Sequence, residues 1–325
     1  MDPLTHTLVG ASLAATRLGE TTRRAVPALV IGANLPDVDV LSYFAGSDAA
    51  LGFRRGWTHG VLALVVLPAL LALLLLAWDR WRPRGDRALS RRWLFALCYL
   101  AVLTHPFLDW LNTYGMRWLM PFDGTWFYGD AVFIADPWLW LALGVGWLAG
   151  RRPRLRSVIT WVAVSGLLMT AIARRAPDYA PLVGIVLVML LLALLWRPSD
   201  DRRSRRAAMA GLAVAATLIA GMLTLHTITE RWVRIELAAA GITPIEQLMV
   251  GPVPVDPFAR EFVVRSGGRL RHGRFDWFGD RRFRLSSFEA ADARDTDQWR
   301  SIEESRQVPG VLDWVRFPWL ATAEA

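Results

Sequence analysis

The chain has 325 residues, 54% of them hydrophobic, and a mean hydropathy of +0.30, which is too apolar for a soluble protein of this size. Its net charge of +8 comes with no lysine at all, and the arginines stand in short clusters between apolar runs. That is the pattern of membrane loops, and it argues against a nucleic-acid-binding surface. The single cysteine, Cys98, lies inside an apolar run and excludes an intrachain disulfide and a cysteine-based metal site.

The first residues, MDPLTHTLVG, lack the basic n-region of a cleavable signal peptide. Two short apolar runs, about 4–16 and 25–35, predict a helical hairpin that dips into the membrane or packs against the helix bundle. Runs of the roughly 17–25 residues needed to cross a bilayer follow. They lie at about 60–78, 92–112, 134–150, 155–173, 180–196 and 207–228, predicting six long spans. Inside the hydrocarbon these must be helical, because no water is there to bond the backbone.

The basic clusters DRWRPRGDRALSRR, RRPRLR at 151–156 and RPSDDRRSRR at 197–206 alternate with the spans. The positive-inside rule makes them cytoplasmic. The basic hairpin turn TRLGETTRR agrees, and Arg174-Arg175 dissents. The loops at 113–133 and 174–179, and everything after 228, then face outward.

The last hundred residues differ in kind. REFVVRSGG and RLRHGRFDWF alternate apolar and polar residues around Gly267-Gly268, a two-residue hairpin signal. RRFRLSSF predicts a third strand and GVLDWVRFPWL a fourth, with short helices at 229–240 and 295–305. The expected organisation is a helical membrane domain over 1–228 and a small extracytoplasmic α+β domain with an antiparallel sheet over 229–325. His272 reads as a solvated strand residue.

The orientation gathers unusual residues at the outer membrane level: His6, Asp37 and Asp39 in NLPDVD, Arg55 and His59 in RRGWTHG, His105 and Asp109 in THPFLDW, then Asp130 and Asp136. His105 and Asp109 are four residues apart and share a helix face, where an imidazole and a carboxylate can grip one ion. Asp37 and Asp39 both point inward only from a non-helical loop. Such a donor set suits zinc first, or manganese or iron(II), over calcium and magnesium. Singly, His6 and His59 read as caps or interfacial residues, Asp37 and Asp39 as a turn, and Asp136 equally as a helix cap. His226 and Glu230 share the same spacing but read as a solvated helix end.

Five stretches in order, LTHTLVGASLA, GANLPDVDVL, RRGWTHG, THPFLDWLNTYGMRWLMPF and DAVFIADPWLW, resemble the YdjM-like family of inner-membrane, metal-dependent hydrolases. The later GPVPVDPFAREFVV and GRLRHGRFDW resemble the extension of its longer members. The resemblance implies a bacterial inner-membrane location and a metal site at His6, Asp37, Asp39, His59, His105 and Asp109. A histidine often stands where this sequence has Arg54.

The expected chemistry is metal-dependent hydrolysis of a phosphoester in a lipid or lipid-linked, amphipathic substrate at the outer leaflet. Arg55 would pair with the phosphate. Asp136, with Asp130 second, would orient the attacking water. The alternatives are a membrane regulator with a structural metal site and a transporter. The absence of charge at the middle of the long apolar runs disfavours the transporter.

Overall fold

The computed structural model describes residues 1–83, 85, 87–148, 200–305 and 307–320. Helix α1, Pro3–Ala14, starts where Asp2 accepts hydrogen bonds from the Leu4 and Thr5 amides, with Pro3 at a position that needs no N–H. After a short 3-10 turn, α2 spans Ala25–Gly32 and packs on α1. This is the expected hairpin. A 3-10 segment, Leu35–Ala45, continues from α2 at a bend of 42°. Then come α3, Ser47–Phe53, α4, Val61–Trp81, and α5, Arg91–Trp110.

Among the described residues three helices are long and apolar enough to cross a membrane: α4, α5 and α7, Asp201–Ala239. The bent pair formed by α2 and the 3-10 segment would make a fourth. Six long spans are therefore not supported. The run expected at 134–150 gives α6, described over Pro137–Leu148; residues 149–150 lie outside the described residues. The expected spans at 155–173 and 180–196 lie outside the described residues.

At 1.5 Å per residue the 39 residues of α7 reach about 58 Å, roughly twice the hydrocarbon thickness. The helix expected at 229–240 is thus the continuation of the span, and the boundary expected at 228 falls inside it. Its far end supplies Val233 and Leu237 to a core shared with Val250, Phe262, Val264 and Phe275 of the sheet.

That sheet has four antiparallel strands in chain order: β1, Gln247–Pro252, β2, Ala259–Ser266, β3, Arg269–Asp276, and β4, Phe283–Ala291. Gly267 and Gly268 both take positive φ, 57° and 68°, as a two-residue hairpin turn requires. Helix α8, Asp297–Ser305, lies where a helix was expected. The fourth strand does not. Residues Pro309–Trp314 form a helix, α9, because Pro309 opens it and Gly310 lies against the backbone of Asp48 and Gly52, seating it on α3. The fourth strand is β1, whose Gly251 and Pro252 hide its alternation in the sequence.

α6 and α7 touch through glycines. A Cβ on Gly211 would lie 2.7 Å from the Ala142 carbonyl and 2.9 Å from Gly146 Cα, so the two backbones meet directly. Gly211→Leu should drive these helices apart, at the roughly 1–3 kcal/mol typical of overpacking. Thermal unfolding in detergent should show a clear fall in midpoint for Gly211→Leu and a smaller one for Gly211→Ala.

Candidate metal centre

The last turn of α5, the 3-10 segment and the turn before α4 converge on one buried point. α4 has 21 residues, about 31 Å, close to the bilayer's hydrocarbon thickness. His59 lies just before its first residue, and the site is therefore at one membrane surface. Gly60 permits this approach: a Cβ there would lie 2.4 Å from the Met120 carbonyl, and the Val61 amide donates to the Trp118 carbonyl at 2.8 Å.

Asp37, His59, His105 and Asp109 each bring a donor atom within 4.8 Å of the other three. His59 Nε2 is 3.1 Å from His105 Nε2 and 3.2 Å from Asp109 Oδ2. His105 Nε2 is 3.6 Å from Asp109 Oδ2 and 3.7 Å from Asp37 Oδ1. Bonds of about 2.1 Å to one tetrahedral ion would set ligand atoms about 3.4 Å apart, so these spacings fit a shared cation.

The tautomers support the same conclusion. His105 Nδ1 stands 2.7 Å from the Ala33 carbonyl, which only accepts, so the proton is on Nδ1 and the lone pair on Nε2. His59 Nδ1 donates to Thr58 Oγ1 at 2.9 Å, and Thr58 in turn donates to Asp39 Oδ2 at 3.2 Å. Two imidazole lone pairs therefore face each other beside a carboxylate, an arrangement that a cation between them stabilises. Asp37 Oδ2 and Asp109 Oδ2 are buried and receive no aligned hydrogen bond. The donor set fits a divalent transition metal.

The other expected residues occupy different places. His6 is fully buried, stacks on His105 with ring centroids 3.7 Å apart, and sets Nε2 3.2 Å from Asp109 Oδ1. The Met1 ammonium donates to that same oxygen. Asp39 lies behind the four donors. Its carboxylate accepts from the Arg55 amide at 2.9 Å, Arg54 Nε at 3.2 Å and Thr58. The Arg55 backbone is held at φ 52°, a left-handed conformation that this bond secures. The Arg55 guanidinium is buried, 3.3 Å from Asp109 Oδ2, donates to Asn112 Oδ1 at 2.9 Å, and lies over the Tyr114 ring at 4.4 Å.

Asp136 caps α6, accepting from the Trp138 and Leu139 amides. Asp130 pairs with Arg316 at 2.8 and 2.9 Å. His226 Nδ1 faces the Val250 carbonyl at 3.1 Å. Sequence reasoning missed Thr58, Asn112 and Tyr114. Asn112 carried a signal, since it follows Asp109 by three residues.

The model of the YdjM inner membrane protein family matches residues 1–177. The chain belongs to this family. Within the matched stretch fall all four donors, His6 and Asp39, and the chain is thus a membrane protein with a candidate metal-binding group. It is also 26% identical over 181 residues to "Uncharacterized protein YfhP" of Bacillus subtilis (strain 168), covering 51% of this chain and 52% of that protein. The chain thus spans about half the length of the curated relative it matches. No solved structure matches.

Asp39→Ala should leave the four donors in place but free His59, Thr58 and Arg55 from their anchor. Loss of such a supporting partner typically costs about 10–100-fold in metal affinity. Titration of the purified protein against a competing chelator should show that drop, with helix content unchanged by circular dichroism.

Proposed function

We propose that this chain is a membrane-embedded, metal-dependent hydrolase that cleaves a phosphoester of a lipid or lipid-linked substrate. The observation that carries this reading is the convergence of Asp37, His59, His105 and Asp109, from three separate chain segments, within 4.8 Å. Zinc is the first choice, then manganese or iron(II). Bound there, such an ion supplies Lewis acidity and activates water for attack.

The surroundings support this choice of substrate class. A cleft of about 600 Å³ reaches one of the donors, Asp37, and is lined also by Met1, Val30, Ile31, Val38 and Arg54 among others. Its outer lip is the 3-10 segment, where Val40, Leu41 and Phe44 are 51%, 57% and 91% exposed. An apolar lip around a polar floor suits an amphipathic molecule entering from the bilayer.

Arg55 is committed to Asp109 and Asn112, so its role is to fix the carboxylate rather than to receive phosphate. Arg54 is also anchored, to Asp39 and Tyr43, but unlike Arg55 it lines the cleft, and the proposal gives it the phosphate-binding role. Asp136 and Asp130 are engaged in a helix cap and with Arg316, and the proposal gives them no part in the chemistry. The orientation that puts this surface and the sheet domain outside the cytoplasm is part of the proposal and rests on the arginine loops.

One observation favours a structural metal instead. Four protein donors are the number of a closed shell. The place of the cluster, at the ends of α4 and α5 rather than at their middle, counts against a transport site.

Elemental analysis of purified protein should find a transition metal. His105→Ala and Asp109→Ala should each lose most of it, since each deletes a donor. Phospholipids, isoprenyl phosphates and simple phosphoesters should then be screened with metal added and chelated. Chelator-sensitive phosphate release that is lost in both variants supports the hydrolase. Stable metal binding without hydrolysis in any class assigns a structural site, and metal retained in full by both variants removes the assignment of donors.

A further inference from the structure

The other end of α4 carries a second polar concentration. Asp79, two residues before the helix ends, is buried. Arg24 Nε lies 3.0 Å from its carboxylate, and the guanidinium is stacked over the Trp78 ring at 4.2 Å and donates to the Arg82 carbonyl. Arg23 Nε lies 3.6 Å from the same carboxylate, buried and without a hydrogen-bond partner. These groups wall a cleft of about 430 Å³, lined by Thr22, Arg23, Arg24, Val26, Pro27 and Arg87 among others.

The cleft is built from two loops joined to each other. The Arg23 amide donates to the Ala88 carbonyl at 3.2 Å, and the Ser90 amide donates to Thr22 Oγ1 at 2.8 Å. Arg87 spans the gap, donating to the Gly19 carbonyl at 3.0 Å. The nearby Glu20 is already paired with Arg205 at 2.8 Å. Three arginines, Arg23, Arg24 and Arg87, line the cleft, and Asp79, behind Arg23 and Arg24, offsets one of their three charges. Guanidinium groups in such a cradle are matched by phosphate oxygens.

The depth in the membrane names the source of the phosphate. Trp78 and Trp81, 42% and 85% exposed, mark the aromatic belt at this end of α4. The cleft opens beside them, at the headgroup level opposite the metal centre. Its rim is Val26, 49% exposed, and Pro27, which offer acyl chains an apolar edge.

We propose that this cleft binds the headgroup of an anionic phospholipid. Arg23 and Arg87 hold the phosphate, and Arg24, fixed by Asp79 and Trp78, forms the wall behind it. The site is independent of the metal centre and of any reaction there. A basic pocket at the end of a membrane helix is a recurrent mode of lipid recognition.

The test uses the full chain in lipid nanodiscs of phosphatidylcholine mixed with phosphatidylglycerol, followed by native mass spectrometry of the lipid that stays bound. The wild type should retain phosphatidylglycerol over phosphatidylcholine. Arg23→Gln combined with Arg87→Gln should weaken that retention roughly 30-fold, from about one arginine's surface contribution each. An unchanged unfolding midpoint in detergent shows that the variant is folded. Equal retention of both lipids by the wild type overturns the proposal, even if the variant does not fold. So does undiminished retention by a folded variant. Displacement of the bound lipid by soluble glycerol phosphate also overturns it, by assigning the cleft to a free phosphate compound.

Discussion

A carboxylate buried at the end of a membrane helix is the constraint on which the first half of the chain depends. Asp109 is fully enclosed, and an uncompensated charge there would cost several kcal/mol. Arg55 approaches one side, His6 a second, His59 and His105 a third. Three of these are held by something else: His105 by the Ala33 carbonyl at the end of α2, His59 by Thr58 and Asp39, and Arg55 by Asn112 and by Asp39 through its backbone. The short helices, the 3-10 segment and the left-handed turn at Arg55 form a scaffold that delivers nitrogen donors to one anion. Imidazole donors that each have their own anchor are what pre-organisation of a metal centre requires.

Much of this was legible in the sequence because helical spacing is rigid. His105 and Asp109 had to share a face of α5, and the hairpin glycines had to turn. The pair at 37 and 39 was less legible. A loop would have let both carboxylates point inward, whereas the chain takes a 3-10 helix there, with about three residues per turn. Two residues apart on such a helix point about 120° from one another, so Asp37 faces the donors and Asp39 faces the residues that support them. The spacing held the information, but only with the type of helix known.

The spans were less legible still. Hydropathy measures whether a segment can dissolve in lipid, not how far it runs as one helix. The segment at 134–150 is apolar enough, yet its helix starts only at Pro137, after a cap on Asp136, and packs on α7 through glycine. At 207–228 the error went the other way. The helix does not end where the hydrocarbon would, because Val233 and Leu237 are paid for by the sheet rather than by the bilayer.

The long helix has a consequence for how the two halves are joined. Its far end packs on the sheet, and the chain beyond the sheet returns to the first half. Arg316 pairs with Asp130, Asp313 with Arg117, and Trp314 donates to the Tyr114 carbonyl at 3.3 Å with its ring 5.1 Å from that of Tyr114. Tyr114 is the ring beneath Arg55, and Arg117 also donates to the Gly52 and Arg54 carbonyls. Residues beyond the stretch that matches the family thus brace the arginine that braces Asp109. A C-terminal region tied only by α7 would swing on it. Tied also by α9, by Arg316 and by Arg260 of β2, which donates to the Ala131 carbonyl at 2.7 Å, it is fixed at several points, and α9 lies against the wall of the metal centre.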